Sequence, residues 1–417
     1  MNKDSILNIN ISDNHQVRIN NNIIIITFSI VVWFFFPIIS ILFFLFLLGN
    51  EKIILWKQVE IFLIVLISCS FGLISYVTGS GGAIDTDMVR YRQMFDIMSN
   101  QGLGYFSNEN FLFLIINWFI ANYISPDGQV MSFVFTSLSY FFILLSIRNL
   151  NKYYVDQRYH FIVLLSVIFI ISIITTTEFL KQVLASSLFL YGLTCKLMHR
   201  KHAYLWLIPS MLVHVSSTIL LLPIFFYNLK IIRKFIFPIL FICLIFSQID
   251  IISVLFKFAN LPILESLGLS AKLESYSEFN DWGGSKRYYL IFLFYLIQIF
   301  PLLHFYWKNN DFKNPICILV ILTICILLFS MSNNHNFARL TRNLYPIQIL
   351  ALSLSIAYIK FSYRKVWIYF IYICLFSSNV IEFIRTMTNS DYHATFMGND
   401  WINLFVGNVL AFIHYSV

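Results

Sequence analysis

Charge is what this chain has least of: Asp, Glu, Lys and Arg make up 12% of its 417 residues while apolar residues take 59%, against about a quarter and just under a half in soluble domains. A chain so poor in charge cannot cover a water-exposed surface, which excludes an ordinary soluble globule. Cysteine is also scarce. The six present (Cys69, Cys195, Cys243, Cys317, Cys325, Cys374) all fall inside apolar runs without CxxC spacing, so they read as packing residues rather than disulfides or metal ligands. Walker A, HExxH, zinc-finger and GxSxG patterns are absent, so nucleotide hydrolysis and the standard metallo- or serine-hydrolase mechanisms lack their groups. No metal site and no cofactor are expected. The polar first 22 residues do not carry a basic segment, a short apolar core and a small-residue cleavage site in order, so no removable signal peptide is expected.

What is present is apolar sequence in eleven or twelve long stretches. They are continuous rather than alternating, and in lipid such segments satisfy their backbone hydrogen bonds as helices. The expected fold is an all-α polytopic membrane protein with about 11–12 hydrophobic helices, some re-entrant or broken. Spans are expected over 23–48, 59–78, 130–147, 161–175, 182–198, 235–256, 288–306, 315–332, 344–360 and 366–384. Residues 111–124, only 14 long and containing Asn117 and Asn122, suit a re-entrant or tilted helix. Residues 203–229, with Pro209 and Pro223 flanking His214, suit a kinked helix or a shallow hairpin. The expected organisation is a polar tail (1–22), one membrane domain (23–384) and a C-terminal tail (385–417) with a short interfacial helix.

The formal charge of +8 is read as cytoplasmic Lys and Arg rather than as a nucleic-acid surface. Basic loops at 148–158, 196–202, 228–234, 307–313 and 360–365 belong in the cytoplasm, and for that 203–229 must leave and return on one side. Taking 111–124 as re-entrant puts the loops at about 79–110, 257–287 and 333–343 outside.

Charge on that outer side needs a reason. In GSGGAIDTDMVRYRQMF, Asp85, Asp87, Arg90, Tyr91 and Arg92 lie within eight residues, and Asp87 and Tyr91 would share a helix face. Arg339, Arg342 and Tyr345 recur at threes, which places two guanidiniums and a phenol on one helix face, fit to clamp a diphosphate. Glu178, Lys181 and Gln182 read as a polar helix start, where free N–H groups favour an anion. His214, with Ser216, Ser217 and Thr218 beside it, marks a polar kink inside the membrane, which lines a cavity or a protein interface. Each motif also has a structural reading: a solvated loop, snorkelling arginines, a capped helix, a buried histidine.

Four stations in order, Asp87 to Tyr91, Lys181-Gln182-Val183-Leu184-Ala185, His214-Val215-Ser216, and Arg339 and Arg342 before Tyr345, resemble the Wzy-type O-antigen and capsule polymerases and the related EpsG family. One departure is Lys181, where the family usually has Arg; a lysine binds phosphate without a planar fork. The resemblance implies a metal- and nucleotide-independent glycosyltransferase-type polymerase in the bacterial cytoplasmic (inner) membrane, its active site facing the periplasm. Its substrate would be an oligosaccharide repeat unit on undecaprenyl diphosphate, with a flippase and a chain-length regulator as partners alongside the bilayer. Arg339 and Arg342, helped by Arg90 or Lys181, would stabilise the departing diphosphate; His214 or Asp87, with Asp85 nearby, would take the acceptor's proton; Tyr91 and Tyr345 would position the groups. A lipid-linked oligosaccharide flippase, or a polyprenyl-phosphate-dependent glycosyltransferase or ligase, remains the alternative. Outward loops of about thirty residues and the absence of a visible repeat weigh against a transporter.

Overall fold

The computed structural model describes residues 22–50, 53, 55–78, 87–101, 110–170, 173–247, 286–331, 334–358, 365–371, 373–374, 376 and 407–410. The secondary structure among them is helical, as expected of an all-α membrane protein. Within the stretch expected as one membrane domain the chain forms two compact units, Met1–Leu184 with Cys374–Val417, and Ala185–Ile373.

In the first unit, the span expected over 23–48 is divided into α1 (Asn22–Phe35) and α2 (Pro37–Gly49). Pro37 has no N–H and sets the break, but Ser40 N–H still donates to Phe36 O at 2.9 Å, so the two continue as one kinked helix. The Pro37 carbonyl accepts from Ser70 Oγ at 2.7 Å, and Ser70 Oγ in turn accepts from Trp33 Nε1 at 3.0 Å, which ties the kink to α3 (Lys57–Val77).

Among the described residues α3 and α6 (Gly128–Tyr154) are the two helices long and apolar enough to cross a bilayer. Asp127 caps α6 by accepting from Gln129 N–H at 2.8 Å. The two helices pack antiparallel along their length. Phe71 stacks on Tyr140 at 3.8 Å, and Gly72 leaves room for the Phe133 carbonyl, 2.9 Å from where a Cβ would stand. At one end Glu60 accepts from Arg148 Nε at 2.6 Å and from Lys152 Nζ at 2.8 Å. At the other, Gln129 Nε2 donates to Tyr76 O at 3.1 Å. The 21 residues of α3 span about 31 Å, the thickness of a hydrocarbon core.

α4 (Asp87–Gln101) lies within the expected loop 79–110, and α5 (Phe111–Tyr123) follows. Phe113, near the start of α5, packs against Tyr91 at 5.5 Å and against Phe135, two turns into α6, at 4.8 Å. The other end of α5 runs through residues 124–127 straight into Gly128. Thus α5 stays in the half of the helix pair nearest Tyr76, the re-entrant course that its 13 residues imply. Of the span expected over 161–175, α7 (His160–Ile170) and α8 (Ile173–Glu178) are described, and residues 171–172 lie outside the described residues.

The second unit begins within α9 (Leu180–Leu197) and continues with α10 (Tyr204–Val213), a 3-10 helix (Val215–Leu220), α11 (Leu221–Phe226), α12 (Lys230–Phe246), α13 (Lys286–Lys308), α14 (Pro315–Ser330), α15 (Asn334–Asn343) and α16 (Tyr345–Tyr358). Asn314 caps α14, with Pro315 at its first position. The segment 203–229 is a hairpin. Lys196 Nζ lies 5.1 Å from the Tyr204 ring and 5.8 Å from that of Tyr227, so both ends of the segment meet at the last turn of α9. α10 rises about 15 Å before the chain turns, about half the depth of a bilayer.

Candidate functional site

The charged motif on α4 separates by helix face. Arg90 pairs with Asp87 at 3.7 Å with side chains 61% and 36% exposed, an ion pair largely screened by water. Tyr91 turns inward instead: its ring is buried against Phe113, and Lys181 Nζ sits 5.2 Å from the ring centroid, within cation–π range. Gln182, the next residue on α9, is buried too.

Arg92 carries a buried donor that no described residue meets. Its stem lies on Gly128, where a Cβ would come within 3.0 Å of Arg92 Cγ. One amino group donates to Thr78 O at 2.8 Å, while Nε is buried with no hydrogen-bond partner among the described residues. A buried donor left unmatched costs about 1–3 kcal/mol, more when charged. Burial lowers the Arg92 pKa, with the carboxylates of Asp127 and Asp96 acting the other way; the guanidinium stays protonated regardless. Burial and the neighbouring Asp127 raise the Asp96 pKa, opposed by Arg92. Asp127 also takes a side-chain hydrogen bond from Tyr76. The sequence motif did not mark Tyr76, Asp96 or Asp127; the S-P-D-G turn signal at residues 125–128 reveals only that Asp127 starts a helix. Asn117, expected only to shorten the apolar run of α5, is fully buried there, and neither of its amide atoms has a hydrogen-bond partner among the described residues.

Glu178 and Lys181 do not open one helix as expected. Glu178 ends α8, the chain bends at Phe179, and Lys181 lies in the first turn of α9. Both are half-buried.

In the second unit His214 stands at the tip of the hairpin. Its backbone is extended (φ −152°, ψ 116°), which ends α10 and starts the 3-10 helix. Ser217 staples the reversal, donating to Ser210 O at 2.9 Å and to His214 O at 2.8 Å. α15 packs against this 3-10 helix. Arg339 and Arg342 are both on α15, which starts at Asn334 within what was expected to be an open loop, 333–343. The chain breaks at Leu344, so Tyr345 opens α16 rather than sharing a helix with the two arginines. Arg342 and Tyr345 are half-buried. The hairpin tip and the arginine helix are therefore neighbours in this unit, as Tyr91, Arg92 and Lys181 are in the other.

Asp85, most of the loop 257–287, and both tails apart from Asn22 and 407–410 lie outside the described residues. Among the described residues no three His, Cys, Asp or Glu side chains gather into a set able to hold a metal ion. One family model, described as the EpsG family, matches residues 64–397 and so takes in every station from Asp87 to Tyr345. No curated protein and no solved structure matches the chain.

Proposed function

Because the chain belongs to the EpsG family, membrane proteins of polysaccharide biosynthesis, we propose that it polymerises lipid-linked oligosaccharide repeat units at the outer face of the bacterial cytoplasmic membrane. The growing glycan is transferred from undecaprenyl diphosphate to the next lipid-linked unit. In that step a hydroxyl oxygen of the acceptor sugar bonds to the anomeric carbon of the donor. The bond from that carbon to the diphosphate oxygen breaks, undecaprenyl diphosphate departs with the electron pair, and a base takes the hydroxyl proton.

The observation that carries this reading is the half-buried guanidinium of Arg92, whose Nε has no partner among the described residues, on the same helix as Tyr91, whose ring Lys181 meets. A charged donor whose Nε is withdrawn from water with no hydrogen-bond partner among the described residues suits an anionic group that arrives with the substrate. The reaction involves two lipid diphosphates, the donor's and the acceptor's. Each unit brings cations that suit one: Arg92 and Lys181 in the first, Arg339 and Arg342 in the second. His214 at a polar membrane kink is the base, with Asp87 as the alternative. The outward assignment is supported by the first unit, where Glu60, Arg148 and Lys152 occupy one end of the α3–α6 pair and Arg92 the other; the basic end belongs in the cytoplasm.

Disrupting the gene and resolving surface polysaccharide on a gel tests the proposal. The ladder should collapse to material carrying a single repeat unit. Loss of that unit as well would identify a translocation or assembly step instead.

A further inference from the structure

In the first unit the basic residues near the α6 terminus are matched by acids: Arg148 and Lys152 by Glu60, and Arg158 by Asp156 at 2.6 Å. The second unit is different. Its loops 196–202 and 228–234 meet through Lys196, which lies against both Tyr204 and Tyr227. Loop 307–313 joins them by packing Phe312 on Phe237 of α12 at 5.3 Å. Arg233 is held by Tyr227 O at 3.1 Å and Asn228 Oδ1 at 2.8 Å. Neither of the first two loops contains an acid; the third has Asp311, whose carboxylate accepts from Asn314 at 3.1 Å. Lys201, Lys230 and Lys234 are exposed and have no ion pair among the described residues, Lys234 Nζ lying 5.3 Å from the Phe235 ring centroid. Beside them Leu205, Ile231 and Trp307 are also exposed, each by more than 60%.

From this arrangement we infer that the three-loop end of the second unit is a binding surface for an anionic phospholipid of the cytoplasmic leaflet. Cations without an ion pair on loops that meet call for an anion. A soluble phosphate would leave Leu205, Ile231 and Trp307 in water, whereas a phospholipid supplies a phosphate for the lysines and acyl chains for these residues. The rings of Tyr204 and Trp307 sit at headgroup level, where such residues anchor membrane proteins. This surface is separate from the polymerase reading and does not depend on it.

The test uses the full-length protein in nanodiscs of phosphatidylglycerol or of phosphatidylcholine, and in mixed-lipid detergent micelles from which retained lipid is extracted and weighed. Phosphatidylglycerol should be enriched over phosphatidylcholine by at least about tenfold and should raise the thermal midpoint. K201Q/K230Q/K234Q should lose most of that enrichment, while K152Q/R158Q should keep it. Equal retention of the two lipids, an equal loss in both variants, or the same midpoint rise from inorganic phosphate alone would each overturn the proposal. Should the triple variant fail to fold, the wild type decides: at about 1 M salt the preference should collapse, and a preference that persists there refutes the site.

Discussion

Arg90 and Arg92 are two positions apart on α4, about 200° around the helix, and that rotation determines what each can do. Arg90 faces water with Asp87; Arg92 faces the packed side with an unmatched Nε. Both arginines are readable as candidates from the motif, but which one turns inward is not, because the helix phase depends on what Tyr91 packs against. Arg92→Gln should therefore lower polymer output about ten- to a hundredfold, the worth of one or two charge-assisted hydrogen bonds. Arg92→Lys, keeping charge without the fork, should fall between that variant and wild type, and Arg90→Gln should stay within about twofold. Polysaccharide yield at matched expression checks all three, and a severe defect in Arg90→Gln beside a normal Arg92→Gln would reverse the assignment. Asp96 gives a pH signature. Its pKa is raised above the ordinary 3.8 by burial and by Asp127, so the folded state holds this proton more tightly than the unfolded chain does. The contribution to stability is full below 3.8 and is lost as pH rises through the raised value. Asp96→Asn should match wild type at the acid end and gain thermal midpoint relative to it as pH rises through that window. An Asp96→Asn midpoint that drops below wild type instead would mean that the attraction to Arg92 dominates.

Helices show where reading from pattern succeeds and where it stops. The helices α3, α6, α13, α14 and α16 fall on expected apolar stretches, and among the described residues α3 and α6 have the length and apolarity to cross a bilayer. The hairpin over 203–229 followed from charge alone, since the basic loops on either side of it had to share a face, and the shared contact of Lys196 with Tyr204 and Tyr227 fits that logic. Breaks without a charge signal were less legible. The break at Phe179 falls between Glu178 and Leu180, where no glycine or proline marks it, whereas the helix face shared by Arg339 and Arg342 is legible from their spacing even though 333–343 is expected as a loop. Close approach between helices is equally silent in one sequence. Gly72 is a plain glycine in α3 until the Phe133 backbone and the Ser137 side chain are seen against it. Gly72→Ala should consequently cost about 1–3 kcal/mol through overpacking. Adding Ser137→Ala should recover part of the loss, while the Phe133 carbonyl, which cannot move aside as a side chain does, prevents full recovery. Chemical or thermal unfolding in detergent measures both, and an unchanged Gly72→Ala midpoint would show that α3 and α6 pack less tightly than described.

For the whole molecule, the decisive quantity is the side of the membrane on which each charged end lies. Within the first unit the helix pair puts about 24 Å between Glu60 and Tyr76 along α3, so the acid-paired basic cluster and the Arg92 cluster cannot share a leaflet. In the second unit three basic loops meet at one end. The positive-inside bias acts on each unit separately and assigns both basic ends to the cytoplasm. Single cysteines at Tyr153, an exposed position near the end of α6, and at Lys201 should then react with a membrane-impermeant maleimide only after the cells are opened. A cysteine at Asn100, exposed on α4, should react in intact cells. The six native cysteines lie in apolar segments, half-buried or buried, which keeps the background low. The outcome bears directly on the proposed function, in which repeat units are joined after they have crossed the membrane and a cationic site on the cytosolic face would not meet them in that state. Labelling of Asn100→Cys from inside, together with Lys201→Cys, would leave α4 and its arginine where only substrates not yet translocated are present, and would transfer the case to a cytosolic lipid-linked transferase.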